Sequence, residues 1–157
     1  MSEFNSGNPR PNVDLSLFGS GAVPVGYAVV LGLMMFVGCG PNSGYPANPF
    51  SSFTSTSGQL QVALRSKPDQ PPTRGVSTIR YTITSGSGKA VNALTLTVEP
   101  FMDAMGHGTS VIPDVSPAGD GNYDVSNVYL PMPGRWELRT TISGAENDSC
   151  ANSFEVQ

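Results

Sequence analysis

The sequence predicts an all-β fold, and three observations lead to that prediction. Charged residues make up only 13% of the 157 residues, whereas 18 are glycine and 14 are proline. Such a composition favours turns and gives little material for helices. After position 59, apolar and polar residues alternate over short stretches, which is the pattern of strands with one buried face. The length allows one domain and little more.

Seven strands are expected in chain order, separated by turns rich in glycine and proline. Their apolar positions are Leu60, Val62 and Leu64; Ile79, Tyr81 and Ile83; Leu94, Leu96 and Val98; Val111 and Val115; Tyr123, Val125, Val128 and Leu130; Trp136, Leu138, Thr140 and Ile142; Phe154 and Val156. Pro113 indicates an edge for the fourth strand, because proline cannot donate to a ladder. The parity change in the fifth predicts a bulge near Ser126–Asn127. We therefore expect a seven-stranded immunoglobulin-like antiparallel β-sandwich over residues 59–157.

The N-terminal region is predicted to be a signal peptide. Residues 23–37 are apolar and uncharged, and they are shorter than a typical membrane-spanning helix. They lead into Phe36-Val-Gly-Cys39, which resembles a bacterial lipobox with Cys39 as the lipidated residue. We assign 1–38 to a signal peptide with lipobox, and an uncleaved anchor helix is the alternative. Both place the remaining chain outside the cytoplasm.

Residues 39–58 are predicted to form the lipidated cysteine and a flexible linker, since they show no strand or helix period. Gly40 follows the cysteine, rather than the aspartate that commonly retains lipoproteins at the inner membrane. We therefore expect a lipid anchor in the outer membrane, with the domain facing the periplasm. With Cys39 lipidated, Cys150 is left without a partner within the chain.

The charge distribution excludes some partners. The formal net charge is -4, and no cluster of lysine and arginine occurs. Nucleic-acid binding needs a basic face, so no nucleic-acid partner is expected. Contact with a membrane through a polybasic segment is also not expected.

One short loop carries the residues with the most chemical information. The stretch Met102-Asp-Ala-Met105-Gly-His107 holds two thioethers and the only histidine of the chain. Alternating strand directions place the turn containing Met132 at the same end of the sandwich. Thioethers favour Cu(I), whereas zinc prefers cysteine, histidine and carboxylates. The candidate metal ligands are Met102, Met105, His107 and Met132.

Two further interpretations of this loop stay open. Methionines also fill gaps in cores, so some of these side chains could close the end of the sandwich. Asp103 could add a weak oxygen ligand, although a solvated loop charge is the commoner role. No nucleophile, catalytic triad or phosphate-binding loop accompanies His107, so we do not expect an enzyme.

Residues 59–157 resemble the YtkA-like domain, a family of small extracytoplasmic β-sandwiches related to FixH-type proteins. The resemblance lies in Pro100-Phe-Met-Asp-Ala-Met-Gly-His-Gly-Thr109, in Gly121-Asn-Tyr123, and in Leu130-Pro-Met-Pro-Gly-Arg-Trp-Glu-Leu138. It implies a copper carrier or accessory protein in metal handling or respiratory oxidase maturation, with a copper-accepting or envelope protein as partner. The alternative is an immunoglobulin-like interaction module of the cell envelope that binds no metal.

Overall fold

The computed structural model describes residues 44–157. The predicted signal peptide at 1–38, the lipidation site Cys39 and residues 40–43 lie outside the described residues. In the part that is described, every regular element is a β-strand. No helix there has the length and apolar character needed to cross a membrane.

The fold is a sandwich of two antiparallel sheets. The described strands are β1 Ser51–Thr54, β2 Leu60–Lys67, β3 Gly75–Ser85, β4 Leu94–Met102, β5 His107–Gly108, β6 Asp114–Gly119, β7 Asn122–Leu130, β8 Gly134–Gly144 and β9 Asp148–Val156. Sheet A has the order β1-β2-β3-β7-β6, and sheet B has the order β5-β4-β8-β9. Without β1 and β5, this is the arrangement of four strands facing three that constant-type immunoglobulin domains have. The predicted sandwich is confirmed, with two strands more than expected.

The core lies between the inner faces of the two sheets, where the alternating positions predicted it. Residues at every second position of β2, β3, β4 and β8 are buried. Trp136 and Tyr81 are the largest fully buried side chains. The Tyr81 hydroxyl lies 3.0 Å from the Thr140 hydroxyl of the other sheet, so its polar group is satisfied inside the core.

The predicted bulge in β7 is also present. Ser77 pairs with Val128 and Ile79 with Val125, so three steps along β7 match two along β3. The extra residue allows both Val125 and Val128 to face the core. The edge position of β6 is confirmed as well, but the strand begins after Pro113 and leaves Val111 outside it. Val111 is exposed because the proline ends the alternation that would have buried it.

The flexible linker predicted for 39–58 is wrong for the described part of that range. Residues 51–54 form β1, which pairs with β2, and Phe50 and Phe53 pack against the core. Phe50 also contacts Phe154 of β9 edge to face, with 5.7 Å between ring centroids. Phe50 and Phe53 are each partly buried by different neighbours, so their positions follow no regular period in the sequence.

Residues 44–50, here called the strap, cross the outer face of sheet A. The Tyr45 ring lies 4.3 Å from the Arg80 guanidinium and 4.5 Å from the Lys67 ammonium, within the range of cation–π contacts. The Tyr45 hydroxyl donates to Asp124 at 3.2 Å. Arg65 donates to the carbonyl oxygen of Ala47. The strap is therefore held by side chains of β2, β3 and β7.

A bidentate ion pair lies beneath the strap. Arg80 Nε and Nη2 donate to the two oxygens of Asp124 at 2.6 and 2.7 Å. The hydrogen bonds from Arg80 lower the pKa of Asp124 below its ordinary value. Desolvation, followed by the nearby Asp124 charge, raises the pKa of Tyr45 to about 12. Tyr45 therefore stays protonated and continues to donate at any ordinary pH.

Three loops meet at one end of the sandwich, here called the methionine end: residues 68–74, 103–106 and 131–133. Gly75, the first residue of β3, pairs with Leu130, the last residue of β7. In sheet B, Phe101 near the end of β4 pairs with Glu137 near the start of β8. The turns that follow β4 and β7 therefore lie at the same end, as the alternation of strand directions predicted.

Candidate metal site

A tight hairpin presents two of the candidate ligands. Met102 ends β4 and is the direct pairing partner of His107, which begins β5. Residues facing each other in an antiparallel pair project from the same face. The amides of Met105 and Gly106 both donate to the Met102 carbonyl at 3.0 Å, which closes the turn. Gly106 has a φ of +70°, a conformation that other residues adopt at a cost.

The second glycine beside His107 is required for space. A Cβ atom added at Gly108 would lie 2.7 Å from the Pro100 carbonyl oxygen and 3.3 Å from Glu99 Oε1. A side chain there would therefore push β5 away from β4. The two glycines around His107 serve different purposes, because Gly106 allows the turn and Gly108 allows the strands to pair closely.

Arg139 of β8 holds the turn from outside. Its guanidinium donates to Asp103 at 2.8 Å and to Glu137 at 2.9 Å, and it lies 3.5 Å from the Phe101 ring centroid. These groups are partly exposed, so each ion pair contributes about 0.2–1 kcal/mol. The Asp103 carboxylate is thus engaged by Arg139, which supports its reading as a loop charge. Sequence reasoning missed Arg139, because only the pairing of β4 with β8 brings it to the turn.

The second loop is fixed by the core. The indole nitrogen of Trp136 donates to the Met132 carbonyl oxygen at 2.9 Å, and the half-buried Met132 packs against the core. A Cβ atom added at Gly134 would lie 3.3 Å from the methyl carbon of Met102. The Met102 side chain therefore reaches Gly134 at the beginning of β8, and Gly134 is two residues after Met132 in the sequence.

The four candidate ligands differ strongly in exposure. Met102 is only 5% exposed and belongs to the core, whereas Met105 is 53% exposed. His107 is exposed, and its Nδ1 lies 2.9 Å from the Gly108 carbonyl oxygen. This contact favours the tautomer protonated at Nδ1, which leaves the Nε2 lone pair available. Met102 therefore closes the end of the core, which is the role that the sequence left open as the alternative.

The sequence contained a signal for the burial of Met102. It continues the alternation of Leu94, Leu96 and Val98, and the period of two therefore directs its side chain inward. Met105 lies beyond the end of that strand, in the turn, where the period no longer applies.

Other metal-ligating side chains do not gather elsewhere in the described chain. Among residues 44–157, no three side chains of His, Cys, Asp or Glu lie close enough together to hold a metal ion. Cys150 is buried in β9, opposite Thr140, and burial raises the pKa of its thiol to about 11. It lies near the start of β9, towards the other end of the sandwich.

These features define a class: an immunoglobulin-like β-sandwich domain with methionine and histidine in two loops at one end. The YtkA-like family model matches residues 54–141, which is more than half of the 157 residues. The chain belongs to the YtkA-like family, as the sequence resemblance predicted. The match begins within β1, five residues before the predicted start of the domain.

A solved structure among those compared is similar in fold. It is a copper-bound variant of FetP from uropathogenic Escherichia coli strain F11, with a TM-score of 0.47 and 13% sequence identity. The similar region covers 71% of this chain and 96% of that chain. No curated protein matches the chain by sequence.

Proposed function

We propose that this protein is a lipid-anchored, extracytoplasmic Cu(I)-binding protein without enzymatic activity. It acts as an accessory or carrier in metal handling or in respiratory oxidase maturation. Cys39 carries the lipid, and the domain faces the periplasm, with the outer membrane as the favoured location. A copper-accepting or envelope protein is the partner.

The observation that carries this proposal is the hairpin that pairs Met102 with His107. It places Met105 at the exposed turn and the Met102 methyl group beside Gly134, at the beginning of β8. The candidate ligands thus come from two loops at one end. Membership of the YtkA-like family agrees with this assignment, since the resemblance implies copper handling.

The chemistry of these donors favours a monovalent ion. Thioethers are soft donors that suit Cu(I), and together with a neutral imidazole they add no charge to the site of a monovalent ion. Met105 and His107 are exposed to the solvent, and Met132 is half-buried. Met102 must turn out of the core to join them, so we expect it to contribute least.

The test is a titration of the full-length protein with Cu(I) in competition with a chromogenic chelator. We expect His107→Ala and Met105→Leu to lower the affinity at least about tenfold each, because each removes one donor atom. Leucine keeps the volume of methionine, so packing does not explain a loss. Ile112→Leu, at an 82% exposed position without a donor atom, is the matched control. Equal competition by wild type and both donor variants would contradict the proposal.

The anchor is tested separately. We expect Cys39→Ser to shift the protein from the membrane fraction to the soluble periplasmic fraction, because the lipid acceptor is lost. Immunoblotting of the separated fractions measures the shift. A Cys39→Ser protein that stays with the membrane would support the uncleaved anchor helix.

The second candidate function is an envelope interaction module that binds no metal. It is favoured by the burial of Met102 in the core and by the exposed apolar side chains Ile112 and Val111. Scattered exposed apolar residues are common on soluble domains, so this observation is the weaker one. The same titration separates the two functions, because an interaction module that binds no metal removes no Cu(I) from the chelator.

A further inference from the structure

We propose that Met105 is a reversible oxidation site whose sulfoxide lowers Cu(I) affinity while the fold stays intact. The choice of Met105 follows from the unequal exposure of the three methionines at the methionine end. The consequence for copper rests on the proposed function.

Exposure determines which sulfur a dissolved oxidant reaches first. Met105 is 53% exposed, Met102 is 5% exposed, and Met132 is half-buried against the core. The same domain therefore contains one open thioether and two shielded ones. Peroxide or hypohalous acid outside the cytoplasm meets the Met105 sulfur before the others.

The place of Met105 in the hairpin allows it to carry an extra oxygen. The turn is closed by backbone hydrogen bonds to the Met102 carbonyl, and Arg139 holds it through Asp103. None of these contacts uses the Met105 side chain. A sulfoxide there points its polar oxygen into water. At Met102, in contrast, the same oxygen would enter the core without a hydrogen-bond partner.

The chemical step is a two-electron oxidation of the thioether. The sulfur attacks one oxygen of the peroxide, an S–O bond forms, and the O–O bond breaks. The leaving hydroxide takes up the proton released by the transferred oxygen, so hydrogen peroxide is reduced to water while the sulfur is oxidised. The product has lost much of its soft-donor character, which weakens a bond to Cu(I). Methionine sulfoxide reductases reverse the change.

The experiment treats the full-length protein with limiting hydrogen peroxide and follows each methionine by fragment-ion mass spectrometry. Trypsin cleaves after Lys89 and next after Arg135, so Met102, Met105 and Met132 fall in one peptide and serve as internal references for one another. We expect Met105 to gain oxygen roughly tenfold faster than Met102. The melting temperature should stay within the error of the measurement while Met105 is converted.

The copper readout uses Met105→Leu as the matched control. Peroxide should lower the Cu(I) affinity of the wild type to that of untreated Met105→Leu and leave the variant's own affinity unchanged. Treatment with a sulfoxide reductase should restore the wild type. Earlier oxidation of Met102 or Met132, unfolding in step with Met105 oxidation, or unchanged affinity of the oxidised protein would each overturn the proposal.

Failure of the proposed function gives a different result. If the reduced wild type does not bind Cu(I), the proposed function and the copper consequence both fall. The fragment ions then still decide whether Met105 is the preferred oxidation site.

Discussion

The strap face of sheet A and the methionine end are built in opposite ways. On the strap face, Tyr45, Arg80 and Asp124 form hydrogen bonds and cation–π contacts that join three separate segments of the chain. At the methionine end, Met105 and His107 project from a short hairpin that is held mainly by its own backbone and by Arg139. The comparison teaches that the long-range polar contacts and the exposed candidate ligands lie on different surfaces of this domain.

The largest expected effect comes from Phe50, which joins the strap to the core. Phe50→Ala should lower the free energy of unfolding by about 2 kcal/mol, less than the 3–5 typical of fully buried phenylalanine, because Phe50 is half-buried. Urea unfolding followed by circular dichroism measures the change. Met105→Ala at the other end is the matched truncation and should change stability by about 0.5 kcal/mol or less. Equal losses in the two variants would break the comparison.

A smaller effect is expected for the ion pair under the strap. Asp124 has a lowered pKa, so its pairing with Arg80 stabilises the fold at neutral pH and is lost as the pH falls through that lowered pKa. Removing the carboxylate charge with Asp124→Asn should cost about 1 kcal/mol at neutral pH. The difference between variant and wild type should shrink as the pH falls below the ordinary pKa of an aspartate and through the lowered pKa of Asp124, as unfolding curves at neutral and acidic pH would reveal. Asp103→Asn, in an exposed ion pair at the methionine end, is the control and should show a smaller difference.

The smallest expected effect concerns Arg139, which supports the hairpin turn from β8. Arg139→Ala should change global stability by about 1 kcal/mol or less, since its ion pairs are partly exposed. It should instead increase hydrogen exchange at the Met105 and Gly106 amides, because the turn loses its outside support. Arg135→Ala, at an exposed position of the same strand, is the control. Unchanged hydrogen exchange in Arg139→Ala would show that Arg139 does not hold the turn.

Most of the fold was predictable because the sandwich buries one face of each strand. Apolar and polar residues alternate regularly in the strands that contain Leu60, Tyr81 and Leu138. The parity change between Val125 and Val128 indicated the bulge. Tyr123 makes the contacts of a tyrosine corner, since its hydroxyl bonds backbone groups of another segment. The hydroxyl donates to the Val91 carbonyl in the connection between β3 and β4, and it accepts from the amide of Leu94, the first residue of β4. The alternation of apolar positions does not specify these partners.

Less of the strap and of the site could be predicted, because their contacts join distant segments without a repeating pattern. Tyr45 meets Asp124 across a sequence separation of 79, and Arg139 meets Asp103 across one of 36. The grouping of the loops followed from strand direction alone. The difference in burial between Met102 and Met105 depends on where β4 ends, and element ends are the part of a strand that sequence patterns define least.

The hydrogen bond from the Trp136 indole to the Met132 carbonyl oxygen couples an intrinsic fluorophore to the loop that carries Met132. The chain has a single tryptophan, so its indole fluorescence, excited selectively over the tyrosines, arises at one place, directly beneath the loop that carries Met132. An occupant that moves this loop changes the surroundings of that one indole. Events at the tip can thus be followed in solution by emission from the native side chain, without an attached dye.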